Sequence, residues 1–282
     1  MLTYITDDVQ EGAWGGEKND GVLLNVCKKH IDDDLIAVRS SYLHEHGVSF
    51  LHDREKGGFI VASFIFIPPE CRRYLMDNGN YVIYEHEHKY SAINNPAGYK
   101  NYKIPANQLQ HVDFYKRAKV VFCQSNEHAL AVKANIPEAT VVNVSGNLWA
   151  SSHLDNLQKL IGRTKKKYVG IYMNDHPYKN MEFNKQFCTE RNWSYTLIGN
   201  LSEASFTDAL SQCSAFVFFP RWLETLNRVS VECRMLGVPV ITNEFLGAAG
   251  EPWFSLEGED LIDVMRTKRK EIPKQIVDLL KE

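Results

Sequence analysis

The chain has 282 residues, 44% of them hydrophobic and 24% charged, which excludes collagen-like, coiled-coil and disordered proteins. Lys and Arg total 32 against 35 Asp and Glu, a net charge of −3. That balance excludes a protein that holds nucleic acid mainly by bulk positive charge and leaves room for a local basic groove.

No apolar run approaches the ~18 residues of a membrane-spanning helix, and no charged-then-apolar leader opens the chain. Six scattered cysteines without a C-x-x-C pair predict a reduced, cytoplasmic protein. At roughly 150 residues per domain the length predicts two domains. In the first, residues 1–150, the segments 2–5, 22–26, 35–38, 58–67 and 81–84 read as strands. Several are too apolar throughout to be half-exposed. Residues 119–123 and 140–144 are clearer strands, separated by a helix that Ser125 caps and that closes near Asn135. This βαβ unit implies a parallel sheet. His44, His46 and His52 fall in an expected loop.

Between Ser151 and Lys167 little can pack into a core, so the boundary is placed there, with a bridging helix over 154–161. The second domain, residues 151–282, repeats the alternation. Strands are predicted over 168–173, 194–198, 215–219 and 238–242, and helices over 178–191, 203–212 and 224–236. The tail from Glu257 reads as helical, with Pro273 marking a kink or a break. The whole predicts an α/β protein of two Rossmann-like domains facing a central cleft, with ligands at the carboxyl ends of the strands.

The most informative stretch is FFPRWLETLNRVSVECRMLGVPVITN, residues 218–243. A buried strand runs into Pro220, a helix is expected from Glu224 to Leu236, and Gly237 suits the position after its end. Glu224 and Glu232 are eight residues apart, a little over two helical turns. The expected helix start offers the backbone N–H groups of Thr225, Leu226 and Asn227, with Arg228 adding a cation, which makes a ready diphosphate site.

This segment resembles the E-x7-E signature of the GT-B glycosyltransferases, especially the retaining GT4-like class. Pro220, Glu224, Glu232, Gly237, Pro239 and Val240 fall in register. The usual glycine after the first glutamate is absent, with Leu226 or Asn227 in its place, and Cys233 replaces an alanine. The resemblance implies that Glu224 approaches the donor sugar and that Glu232 holds the nucleotide ribose. It also implies a donor-diphosphate lysine after the first strand of the second domain, where Lys179 falls in NDHPYKN, residues 174–180. The arginine that usually precedes it is missing, and Arg221 or Arg228 could replace its charge. In the first domain the resemblance implies a glycine-rich loop after the first strand, and Gly15 and Gly16 suit close backbone approach to a phosphate or sugar.

The densest cluster of functional side chains is YEHEHKY, residues 84–90. On an extended chain His86 and His88 share one face while Glu85 and Glu87 share the other. Three readings stay open: a metal site, the sugar and acceptor end of a glycosyltransferase cleft, or a satisfied polar strand end. Under the second, His86 and Glu87 are catalytic candidates beside Glu224 and Lys179, and His88, Lys89 and Tyr90 lie on the acceptor side. Residues 89–110 form a long irregular segment whose Lys89, Lys100 and Lys103 alternate with Tyr90, Tyr99 and Tyr102. Such residues suit stacking on bases and contact with phosphates, or an ordinary surface loop.

Segments 85–90, 122–125, 146–149, 224–226 and 251–255 together resemble the small glycosyltransferases of tailed phages and related viruses. Some of those act on hydroxymethylated bases in DNA. The implied function is transfer of a sugar from a nucleotide-diphosphate donor, UDP in the leading case, to a hydroxyl acceptor, with retention and without a metal cofactor. Rival readings are a glycan- or lipid-directed transferase, a metal-dependent hydrolase using His86 and His88, and a nucleotide-sugar-binding protein without activity.

Overall fold

The computed structural model describes residues 2–7, 15–30 and 34–281. In chain order the first half contains β1 (Thr3–Thr6), α1 (Gly15–His30), β2 (Ile36–Arg39), α2 (Leu43–His52), β3 (Phe59–Val61) and α3 (Pro69–Asn78). It continues through β4 (Tyr81–Tyr84), α4 (Val112–Arg117), β5 (Val121–Cys123), α5 (Asn126–Asn135) and β6 (Val141–Asn143). The second half contains α6 (Ser151–Lys159), β7 (Val169–Tyr172), α7 (Met181–Glu190), β8 (Tyr195–Ile198) and α8 (Glu203–Ser211). It closes with β9 (Ala215–Val217), α9 (Arg228–Met235), β10 (Val240–Ile241) and α10 (Gly258–Lys281).

Among the described residues the strands form two sheets, ordered β2-β1-β3-β4-β5-β6 and β10-β9-β7-β8, and every pairing is parallel. The chain divides into two compact units, residues 1–149 with 267–282, and residues 150–266. In the first sheet Ile5, Val61, Ile83 and Val121 pack on one face, with Leu43, Leu75 and Phe114 from the helices. Tyr4, Ile60, Val82 and Phe122 pack on the other. Strands covered on both faces need no polar side, which explains their unbroken apolar sequence. The second sheet packs Val169, Ile171 and Val217 against Cys188 and Phe187 of α7.

Several expectations need correction. Residues 22–26 are helical, because Asn19, Leu23, Val26 and Cys27 bury one face of α1 at a helical spacing. The strand expected over 58–67 is only Phe59–Val61, and the histidine-rich segment forms α2 rather than a loop. The helix expected from Glu224 starts at Arg228. Residues 267–282 group with the first unit and not, as their place in the chain predicts, with the second. The reason is packing: Ile272, Ile276, Val277 and Leu280 join the cluster around Leu2, Tyr4, Leu23 and Val82. Helix α10 runs through Pro273 without a break.

Replacing Ile276 by Ala deletes a fully buried side chain of the first unit. Unfolding in urea should show that variant destabilised by about 2–5 kcal/mol. An unchanged midpoint would mean that the end of α10 is dispensable to this core.

Candidate functional site

The groups singled out in the second unit gather where β7 and β9 end. Beyond β9 the chain is pinned by three asparagines. Asn184 accepts from the Phe219 amide at 2.9 Å, Asn180 donates to the Phe219 carbonyl at 2.9 Å, and Asn243 donates to the Pro220 carbonyl at 3.0 Å. Farther along, the Glu224 amide donates to the Phe245 carbonyl and the Glu224 carbonyl accepts from the Gly247 amide, both at 2.9 Å. Glu224 is thus held by its backbone on both sides before any helix begins.

Its carboxylate is held as well. Lys179 Nζ lies 2.5 Å from Glu224 Oε1, and Asn227 Nδ2 donates to Oε2 at 3.1 Å. Burial alone would lower the Lys179 pKa, but the Glu224 carboxylate outweighs it and the net shift is upward. The lysine therefore stays charged. Its ammonium also lies 4.9 Å from the ring centre of Tyr178, which stacks on Trp222 at 5.0 Å.

Thr225, Leu226 and Asn227 precede α9 instead of forming its first turn, and the Leu226 side chain is buried. Asn227 is the cap: its Oδ1 accepts from the Ser230 amide at 3.0 Å, and its φ is +72°. Asparagine is among the few side-chain-bearing residues that tolerate a positive φ. Glu232, in the second turn of α9, is buried. Its Oε1 lies 4.0 Å from Arg228 and 3.3 Å from His153 Nε2. Arg221 is exposed, its amide donating to the Tyr178 carbonyl.

In the first unit the polar groups collect at the carboxyl ends of β1, β3, β4 and β5. Asp7 accepts from the hydroxyls of Ser40 and Ser63. Segment 85–90 is turned, not extended, so His86 and His88 do not share a face. His86 Nε2 lies 3.2 Å from Asp20 of α1, while His88 Nδ1 meets the Tyr90 hydroxyl at 3.2 Å. Burial would lower the His86 pKa, but Asp20 prevails and raises it. Gly15 and Gly16 open α1, and the loop before them lies outside the described residues. A Cβ on Gly16 would stand 2.9 Å from His86 Nδ1, so that glycine lets the helix start approach the ring.

Glu85 is fully buried and accepts from Lys89 Nζ at 2.9 Å, from the Glu87 amide at 2.8 Å and from the Tyr115 hydroxyl. Lys89 and Tyr90, expected on the acceptor side, are buried and occupied by these internal contacts; Glu87 remains half exposed. In the segment beyond, the Tyr99 and Tyr102 hydroxyls bond Gln108 and Glu127, and Lys103 bonds the Ala134 carbonyl. The structure thus joins Lys179 to Glu224 and Arg228 to Glu232, and it separates His86 from His88. Among the described residues no group of three or more His, Cys, Asp or Glu side chains is placed to hold a metal. A hollow of about 500 Å³ over β5, β6 and the end of α10, lined by Phe122, Val142 and Lys274, lies apart from these groups.

Sequence reasoning missed Asp20, Asn19 and His153. The spacing of Gly16 and Asp20, one turn apart on α1, was the signal for the first. Asn19 accepts from the Tyr84 hydroxyl and the Leu148 amide, which no local pattern announces.

Lys89→Met leaves the Glu85 carboxylate buried without its cation, and equilibrium unfolding should register a loss of about 3–5 kcal/mol. Combining it with Glu85→Gln should restore most of the loss. Burial would raise the Glu85 pKa, but Lys89 and Tyr115 hold it below the ordinary range. The contribution is therefore present at neutral pH and lost as pH falls through that lowered value. A double variant no more stable than the single one would show that the pair is not the source of the effect.

By sequence, no protein family and no curated protein matches the chain. By structure, it is similar to Anabaena HepE in complex with UDP-glucose, with a TM-score of 0.51 at 12% identity, over 100% of this chain and 97% of that one. It is also similar to an α,α-trehalose-phosphate synthase (UDP-forming) from Burkholderia vietnamiensis, with a TM-score of 0.54 at 10% identity, over 99% and 95% of the chains. An α-glucosyltransferase in complex with UDP-glucose and DNA containing an abasic site gives a TM-score of 0.49 at 10% identity, over 99% and 94% of the chains. With its two parallel α/β units, the chain has the fold of the GT-B glycosyltransferases.

Proposed function

We propose that this chain is a glycosyltransferase that moves a sugar from a uridine-diphosphate donor to a hydroxyl acceptor. The observation that carries the reading is the Lys179–Glu224–Asn227 constellation, set between β7 and the start of α9. It stands in a fold whose solved relatives include HepE bound to UDP-glucose. The second unit holds the donor in this reading, and the first presents the acceptor.

As the donor reacts, the bond between the sugar C1 and the diphosphate oxygen breaks, and its electron pair goes to the diphosphate. Lys179, which remains protonated, meets that growing charge, with Arg228 and the N-terminus of α9 as further positive partners. Glu224 stabilises the cation-like sugar, and Glu232 holds the ribose. The acceptor oxygen bonds to C1 on the face the diphosphate leaves, so configuration is retained, and the hydroxyl proton passes to the departing phosphate oxygen. No metal is required in this scheme. Asp20 favours the protonated form of His86, which suits that ring to donate a hydrogen bond toward the acceptor. Glu87, half exposed beside it, orients the acceptor hydroxyl.

For the acceptor we propose 5-hydroxymethylcytosine in DNA. The support is the phage-like motif pattern and the exposed Lys100, while the net charge of −3 gives DNA no general attraction. Such a base must be flipped from the duplex to react. The test is to incubate the protein with UDP-glucose and DNA, with and without the modified base, then digest and weigh the nucleosides. A hexose mass on the modified base is expected. A modified glycan or lipid with unmodified nucleosides would remove the DNA acceptor and keep the enzyme class; no transfer and no donor hydrolysis would remove the class.

Lys179→Ala should lower turnover at saturating donor about 10²–10³-fold, because the charge it meets grows toward the transition state. Wild-type turnover would place the diphosphate elsewhere. Glu232→Ala should weaken UDP binding by about 1.5–3 kcal/mol through loss of a charged hydrogen-bond partner, measured by titration calorimetry.

A further inference from the structure

The proposed chemistry makes no use of His153, yet its ring lies between two carboxylates. From α6 its Nδ1 is 2.6 Å from Glu203 Oε1 on α8, and its Nε2 is 3.3 Å from Glu232 Oε1 on α9. His153 and Glu232 are both buried, and Arg228 stands 4.0 Å from the same Glu232 oxygen. Glu203, Glu232 and Arg228 are charged groups that face this ring or its partner from α8 and α9.

A neutral imidazole has one proton for its two nitrogens. With a carboxylate at each nitrogen, the neutral ring must present a lone pair to one anion. The shorter contact draws the proton to Nδ1 and Glu203, which turns the bare Nε2 toward Glu232 and repels it. The imidazolium donates from Nδ1 to Glu203 and brings its positive charge within 3.3 Å of Glu232 at Nε2, so it attracts both carboxylates. Burial would lower the ring's pKa, but Glu232 and Glu203 outweigh it and the net shift is upward.

We infer that His153 is a positioning residue: protonated, it fixes the Glu232 carboxylate for the nucleotide ribose, and neutral, it lets that carboxylate go. This rests on the reading of α9 as the nucleotide-holding helix. Linkage requires the converse as well, so bound nucleotide stabilises the protonated ring. Affinity is highest at low pH and falls as pH rises through the raised pKa of His153.

The test is the dissociation constant of UDP-glucose, whose diphosphate has no titrating terminal phosphate, measured by calorimetry from about pH 5.5 to 8.5. Wild-type affinity should drop about tenfold across that range, the equivalent of one pKa unit between free and bound protein. His153→Gln keeps a neutral donor toward Glu232 and should bind within about threefold of the tight form with the pH step gone. Glu203→Gln touches neither Glu232 nor ribose. It should move the midpoint to lower pH by removing one carboxylate that favours the imidazolium, and a merely structural histidine would not respond in this way. A flat wild-type profile, or an unmoved midpoint in Glu203→Gln, overturns the inference. If Glu232→Ala still binds weakly in that case, the donor site stands. Wild-type affinity in Glu232→Ala would instead overturn the donor reading, and the His153 role with it.

Discussion

Strands in a parallel sheet must all be entered from the same end, and that one constraint places most of the side chains discussed above. Each strand has to be followed by a return through a helix, so the polar turns accumulate along the carboxyl edge. Asp7, Ser63, Glu85, His86 and Ser125 follow strands of the first sheet, while Lys179, the Phe219–Pro220 turn and Asn243 follow strands of the second. The buried faces decide the fold, and the edges are left to carry chemistry.

At those edges charge is confined by pairing. Glu85 with Lys89 is a buried ion pair and Glu224 with Lys179 a partly buried one, and both carboxylates also take hydrogen bonds, from Tyr115 in the first case and Asn227 in the second. A buried ion pair seldom adds net stability, but losing one partner is costly, so each pair fixes the position of its members. For Lys179 this gives a cation held in one place and kept charged, which suits a group that meets a developing anion. The aromatic stack of Tyr178 on Trp222 narrows its freedom further.

The sequence made much of the fold legible because the apolar runs at 2–5, 81–84, 119–123 and 168–173 are bounded by clear turn chemistry. Ser125 caps α5 by accepting from the His128 amide, as its type and place predicted. The failures have physical causes. Residues 22–26 are as apolar as a strand, and only the burial of Asn19 and Cys27 on the same stripe exposes the helical period. Glu224 was read as helical because its neighbours favour a helix, but pairing with the 245–247 segment overrides that preference. The glycine missing beside it was legible as a gap in the motif. That Asn227 holds a positive φ there appears only in the dihedral angles. His153 lay in a stretch with nothing to pack, and two glutamates from distant helices give it surroundings that no local pattern could reveal.

The first unit borrows its last helical turns from beyond the second. Ile272, Ile276, Val277 and Leu280 complete a core whose other members precede residue 150. On the ribosome, where domains usually form in the order of synthesis, this unit cannot close when its own strands have emerged. Until the intervening unit has been made, the face of its sheet around Tyr4, Val82 and Phe122 is covered only in part, by Leu23 and Cys27 of α1 and by Leu148. Residues 150–266 are therefore all present in the emerging chain before the N-terminal unit has the residues that complete its core.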